Sequence, residues 1–142
     1  MTGAEVFLKL ENLQKTGSFK ARGATYKITA RRDEIGAVGV VAASAGNHAQ
    51  GVALAARQAG LPATIVMPQW ASLSKQEATR GYGGEVILHG EGIGESIAHA
   101  LALSAAGKTF IHPFDDEDII TGQGTVGLEV LEDVPDVDVI AV

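Results

Sequence analysis

The stretch "GVVAASAGNHAQGVALAARQAGLPATIVM", Gly39 to Met67, decides the fold. Its two ends, "GVVAA" (Gly39–Ala43) and "ATIVM" (Ala63–Met67), are short apolar runs of the length and composition of buried strands. Between them Val52, Leu54, Ala55 and Ala59 recur at helical spacing. "AGLP" then supplies a glycine for the helix end and a proline that cannot continue it. A strand, a helix and a second strand in this order make a right-handed crossover between parallel strands.

The same alternation runs the length of the chain. Further strands are expected at Val6–Leu10, Glu85–His89, Thr109–His112 and Val137–Val142. Helices are expected at Phe19–Arg32, Asn47–Gln58, Leu73–Gly81, Ile93–Ala106 and Ile119–Leu131. The expected fold class is α/β, a mainly parallel sheet with helices on both faces. The 142 residues, 46% of them hydrophobic, suit one folded unit with its own core. No internal repeat or linker interrupts it.

Composition narrows the function. A net charge of −6 argues against a nucleic-acid partner, which needs a basic stripe. The absence of cysteine excludes disulfides, a thiolate nucleophile and a cysteine-ligated zinc. His48, His89, His99 and His112 lack zinc-site spacing, so no metal is expected. The N-terminal "MTGAEVFLKLEN" lacks the pattern of a signal peptide, and no apolar run is long enough to span a bilayer. A cytoplasmic location follows as the default.

Three stretches could carry chemistry. In "AASAGNHAQG" (Ala42–Gly51) a strand ends and a helix opens, so free backbone N–H groups face outward, and Gly46 lets a ligand come close. Ser44, Asn47 and His48 add side-chain donors, which suits a carboxylate or a small phosphate. The alternative is an ordinary turn in which Ser44 or Asn47 caps the helix and His48 is exposed. In "QKTGSFKARGA" (Gln14–Ala24) Lys20 stands at a helix start, where a positive charge is unfavourable. A lysine becomes a nucleophile when its surroundings favour the neutral amine, although a snorkelling surface lysine gives the same letters. "GQGTVG" (Gly122–Gly127) matches the dinucleotide fingerprint, but it follows "DDEDIIT" rather than a strand. A close-packed helix start is the better explanation, with dinucleotide binding kept as an alternative. The acidic run Asp115–Asp118 suits a solvated loop whose negative charge favours the start of the helix that follows.

Together "LKLENLQKTGSFKARGA", "SAGNHAQGVALAA", "TIVMPQWASLSKQEATRGYGGEVIL", "IHPFDD" and "TGQGTVGLEVLEDVPDVD" resemble, in the same order, the threonine ammonia-lyase (threonine dehydratase) and serine racemase group of fold-type II pyridoxal-phosphate enzymes. The resemblance implies pyridoxal 5'-phosphate as cofactor, bound to Lys20 as a Schiff base, with Lys20 as the base that later removes the α-proton. It implies that Phe19 packs near the cofactor ring and that Asn47 hydrogen-bonds it. Ser44, Ala45, Gly46, Asn47 and His48 are implied to hold the substrate carboxylate. The implied reaction turns threonine or serine into a 2-oxo acid and ammonia, in amino-acid metabolism such as isoleucine biosynthesis, by a homo-oligomer.

Serine racemases of the group carry a second serine where this chain has Ala45, which favours dehydration over racemisation. The segment from about Ala42 to Ile119 resembles the small mobile domain, and residues 1–41 and 120–142 parts of the larger cofactor domain. The family's glycine-rich phosphate loop follows the strand expected at Val137–Val142, so the chain is expected to be a fragment, weak or inactive alone. A non-catalytic, self-associating module is the alternative.

Overall fold

A computed structural model describes residues 3–142. Four strands are present: β1 (Val40–Ala43), β2 (Ala63–Met67), β3 (Glu85–Leu88) and β4 (Thr109–Phe110). They form one parallel sheet in the order β3-β2-β1-β4, with Val40 opposite both Ala63 and Thr109 and Thr64 opposite Glu85. The chain is thus an α/β protein, and its two central strands are buried throughout. That explains why both read as unbroken apolar runs, since a central parallel strand has no solvent face.

The helices are α1 (Lys20–Ala30), α2 (Arg32–Ile35), α3 (Asn47–Ala59), α4 (Leu73–Gly81), α5 (Ile93–Ala105) and α6 (Glu117–Asp133). On one sheet face Val40, Ala42, Ile65 and Met67 pack with Ala49, Val52, Ala55 and Ala56 of α3, joined by Ala24 and Ile28 of α1 and Ile119 of α6. On the other, Val41, Ala43 and Val66 meet Ala100 of α5 with Ile97 and Leu103. Full burial of each branched side chain here stabilises by roughly 1.5–3 kcal/mol. Gly60 ends α3 at φ 71°, the left-handed region that an L side chain avoids. No helix among the described residues is long and apolar enough to cross a membrane.

Two expected strands are not formed. Val6–Leu10 pairs with none of the four strands, and Val6, Phe7 and Leu8 are exposed. Instead the segment lies beside α6, where Lys9 ion-pairs with Glu129 and Asp133. Val137–Val142 is likewise outside the sheet, with Val139 exposed. Apolar β-branched composition favours extended backbone, but a strand exists only where a partner accepts its hydrogen bonds.

The acidic run favours the start of α6 as expected, but only Asp115 and Glu117 of it are exposed, and Asp116 and Asp118 are not solvated. Asp116 caps α6 by accepting from Ile119 N at 3.1 Å and ion-pairs with Lys27 of α1, while Asp118 pairs with Arg31 at 2.8 Å. Burial alone raises the Asp116 pKa, but the Lys27 ammonium and the Ile119 N–H more than offset it and hold the carboxyl below its usual range. The run therefore clamps α6 to α1. "GQGTVG" lies inside α6, where its amides belong to the helix ladder, so it is neither a phosphate loop nor a helix start. Its packing reading does hold for Gly122, since a Cβ there would sit 2.6 Å from Gly23 Cα of α1.

Candidate active site

Lys20 is the first residue of α1, and Phe19 before it is the cap. The chain reaches this point through a tight turn in which the buried Thr16 adopts φ 65°, a left-handed conformation costly for a β-branched residue. Ser18 then uses its Oγ to accept from Lys20 N at 3.2 Å, so the hydroxyl stands in for a helix cap. The Lys20 ammonium is half-buried and donates to the Pro113 carbonyl oxygen at 2.7 Å. It also lies 5.2 Å from the centre of the Phe19 ring. Burial lowers the Lys20 pKa. A surface lysine with its head in water is therefore not what the sequence placed here.

The second element is the turn between β1 and α3. Ser44 Oγ accepts from Gly46 N at 3.1 Å rather than from the helix, and α3 has no side-chain cap. The capping alternative thus fails, and the first-turn amides of α3 stay available to an anion. With its oxygen already an acceptor, the Ser44 hydroxyl can direct its proton elsewhere. Asn47 is exposed, and its Oδ1 accepts from Lys75 Nζ at 3.5 Å.

His48 fits neither reading of the turn, the side-chain donor or the exposed residue. It is buried, not exposed, and its Nε2 lies 3.1 Å from the Ile111 carbonyl oxygen. Its side-chain donor is thereby engaged, which leaves its backbone N–H as its donor to a ligand at the turn. Burial lowers its pKa to about 4, with the Lys20 and His112 charges acting in the same direction and the Ile111 carbonyl against it.

Packing brings these two elements together. A Cβ on Gly51 of α3 would sit 3.1 Å from the Lys20 carbonyl oxygen, so the starts of α1 and α3 lie backbone against backbone. The Lys20 backbone is thereby packed against the first turns of α3, close enough for the Lys20 charge to act on His48. Two open clefts of about 430 Å³ lie elsewhere, one lined by Lys27, Arg31 and Asp118, the other by Gln14, Tyr26 and Leu54. Neither is lined by Lys20.

The family described as "Pyridoxal-phosphate dependent enzyme" matches residues 1–142. The chain belongs to this family. Among curated relatives it is 57% identical over 143 residues to the L-threonine ammonia-lyase of Thermotoga maritima, covering 100% of this chain and 36% of that protein. It is 52% identical to the catabolic L-threonine dehydratase TdcB of Staphylococcus aureus, covering 100% of this chain and 41% of that one. Among solved structures, maize serine racemase superposes with a TM-score of 0.91 at 44% identity, over 96% of this chain and 42% of its own. The processed threonine deaminase isoform 2 of Solanum lycopersicum gives 0.86 at 45% identity, over 91% of this chain and 36% of its own. The chain thus spans about two-fifths of the length of these relatives.

The residues present suit the family's cofactor. Pyridoxal phosphate requires an amine that can become neutral, and Lys20 is half-buried with a backbone carbonyl as its acceptor. Sequence reasoning missed Ile111, Pro113 and Lys75. The first two contribute backbone oxygens, which no side-chain pattern announces, and Lys75 lies a helix and a strand away from Asn47.

Proposed function

We propose that this chain carries the cofactor lysine and the carboxylate turn of a pyridoxal-phosphate-dependent ammonia-lyase that converts threonine or serine to a 2-oxo acid and ammonia. The observation that carries the reading is the packing of α3, whose N-terminus has no side-chain cap, against the backbone of Lys20, whose amine is half-buried. The names of the curated relatives point to the same reaction. When bound, pyridoxal phosphate supplies an electron sink that makes the α-proton of an amino acid labile.

Lys20 is the attachment point for the cofactor and the base that takes the α-proton at Nζ. Its lowered pKa serves that role, because only a neutral amine accepts a proton. Phe19 is read as packing near the cofactor ring and Asn47 as donating to it, with Lys75 steadying Asn47 through its Oδ1. The Ser44 hydroxyl and the backbone amides of Ala45, Asn47 and His48 hold the substrate carboxylate, with Gly46 allowing it to come close, and orient the bond to the α-proton toward Lys20. Ala45 supplies no second hydroxyl, so elimination is favoured over return of a proton from the other side. The segment from about Ala42 to Ile119 is read as the part that moves when the site closes.

The test is to incubate the chain with pyridoxal phosphate, record its visible absorbance, trap the adduct with borohydride and map it by peptide mass. Capture at Lys20 and its loss in Lys20→Ala are the expected results. Capture elsewhere in the wild type refutes the lysine assignment. Turnover of threonine by the chain alone is expected to be low, since Phe19 and Asn47 are exposed and water is not excluded. Fast formation of 2-oxobutanoate would contradict that.

Self-association is a second reading, favoured by the exposed Val6, Phe7, Leu8 and Leu13 and by the exposed Leu128 and Leu131 of α6. Light scattering separates an oligomer from a monomer.

A further inference from the structure

Lys20 and His48 hold one short segment at two points. The Lys20 amine donates to the carbonyl of Pro113, and His48 Nε2 meets the carbonyl of Ile111. A carbonyl oxygen only accepts, so Nε2 carries the imidazole proton and Nδ1 is a bare lone pair. That Nδ1 is buried without a hydrogen-bond partner. His48 is 3% exposed, so its one protein partner through the ring is the Ile111 carbonyl.

We propose that His48 is a positioning residue, anchoring Ile111 so that the Pro113 carbonyl meets the Lys20 amine and the segment shields that amine from water. This rests on the reading of Lys20 as the cofactor lysine and adds to it the device that sets its protonation. Each neighbouring contact is consistent with an anchor. His112 Nδ1 accepts from Asp115 N at 2.7 Å and Phe114 N at 3.3 Å, fixing the turn that follows Pro113. Asp116 then caps α6, which Lys27 ties back to α1. On the other side Gly51 holds α3, and His48 with it, against the backbone of Lys20.

The titratable groups acting on His48 are Lys20 from α1 and His112 from the anchored segment, both of which disfavour a second positive charge. A neutral imidazole can accept no role that a cation would play, yet it donates to a carbonyl as well as any N–H. The choice of histidine thus yields a donor that adds no charge beside Lys20.

The test needs no cofactor. The chain is labelled with acetic anhydride across a pH series, and acetylation of each lysine is quantified by peptide mass to give its titration midpoint. In the wild type the Lys20 midpoint is expected to lie below that of an ordinary lysine. In His48→Leu the segment loses its anchor, water reaches the amine, and the midpoint is expected to rise, with a several-fold fall in Lys20 labelling at mildly alkaline pH. His48→Gln keeps an N–H at the reach of Nε2 and is expected to restore the wild-type midpoint.

An unchanged midpoint in the folded Leu variant, or a Gln variant displaced as far as Leu, overturns the proposal. If the Leu variant does not fold, long-range proton–nitrogen NMR of the wild type decides. A neutral Nε2–H tautomer through mildly acidic pH supports the anchor, and an Nδ1–H tautomer overturns it. Failure of borohydride trapping at Lys20 would instead sink the cofactor reading and leave the labelling result intact, so the two failures are distinguishable.

Discussion

Replacing Gly122 by alanine tests whether the glycines of "GQGTVG" serve packing. An added Cβ would stand 2.6 Å from Gly23 Cα, 2.8 Å from Tyr26 Cβ and 2.9 Å from the Arg22 carbonyl oxygen. Carbon contacts prefer roughly 3.5–4.0 Å, so α1 and α6 must part by about 1 Å. Two of these atoms are backbone and the third begins a side chain, so none can swing aside. Overpacking of this kind costs about 1–3 kcal/mol. Parting also strains the bond from Gly23 N to Gln123 Oε1 at 3.1 Å, a further ~1 kcal/mol. Alanine returns about 1 kcal/mol through helix propensity. The net expectation is a loss of about 2 kcal/mol, read as a lower urea midpoint at unchanged slope. Gly124 and Gly127 lie in the same helix with nothing within 4 Å of their added Cβ. Gly124→Ala and Gly127→Ala should therefore stabilise by up to about 1 kcal/mol each. A Gly122→Ala variant as stable as the wild type would refute the close-packing argument.

Asp116→Ala removes both the α6 cap and the partner of Lys27 and should cost about 1–3 kcal/mol in urea unfolding, whereas Asp116→Asn keeps a capping oxygen and should cost less. His48 is expected to make stability fall in mild acid. The unfolded imidazole takes its proton near pH 6.5 and the folded one only near about 4, so the unfolded state binds protons first as pH falls. Stability is then full above about 6.5 and declines toward about 4, by on the order of 3 kcal/mol, and His48→Gln should flatten this window in a series of urea midpoints. A lower window belongs to Glu129, whose carboxyl is held at about 2 by Arg22 and Lys9. Its stabilisation is present above its ordinary carboxylate pKa and lost as pH falls toward about 2, and because the group is exposed, added salt should shrink it.

The α/β fold was legible because a buried parallel strand and the helix that covers it impose different apolar periods on the chain, and Gly39–Met67 carries both in succession. Val6–Leu10 and Val137–Val142 carry strand composition too, and neither is a strand. Their letters report a preference for extended backbone, while pairing depends on a neighbour that local sequence does not name. The acidic run opens α6 as its charge implied, but its ion pairs were hidden for a related reason. Asp116 and Asp118 look solvated until α1 presents Lys27 and Arg31 across from them, and that meeting is a tertiary fact. Of the proposed site, the sequence singles out residues with polar side chains, Lys20, Ser44 and Asn47. It was opaque at Ile111 and Pro113, whose side chains have no polar atom and whose carbonyls do the binding.

A lysine at a helix start was the electrostatic oddity, and the structure changes which force resolves it. The positive end of α1 is softened by Ser18, whose Oγ receives Lys20 N, and the amine itself reaches away to Pro113. Two contacts favour the ammonium: the Pro113 carbonyl and the face of Phe19, the latter on the order of 0.5–2 kcal/mol. Burial opposes both and prevails, which is why the pKa falls. Whatever further excludes water from Lys20 deepens the shift, and whatever withdraws the Ile111–Pro113 segment reverses it. The lowering of the amine's pKa is thus set less by its place in the helix than by the segment that meets it, and control of that segment runs through His48.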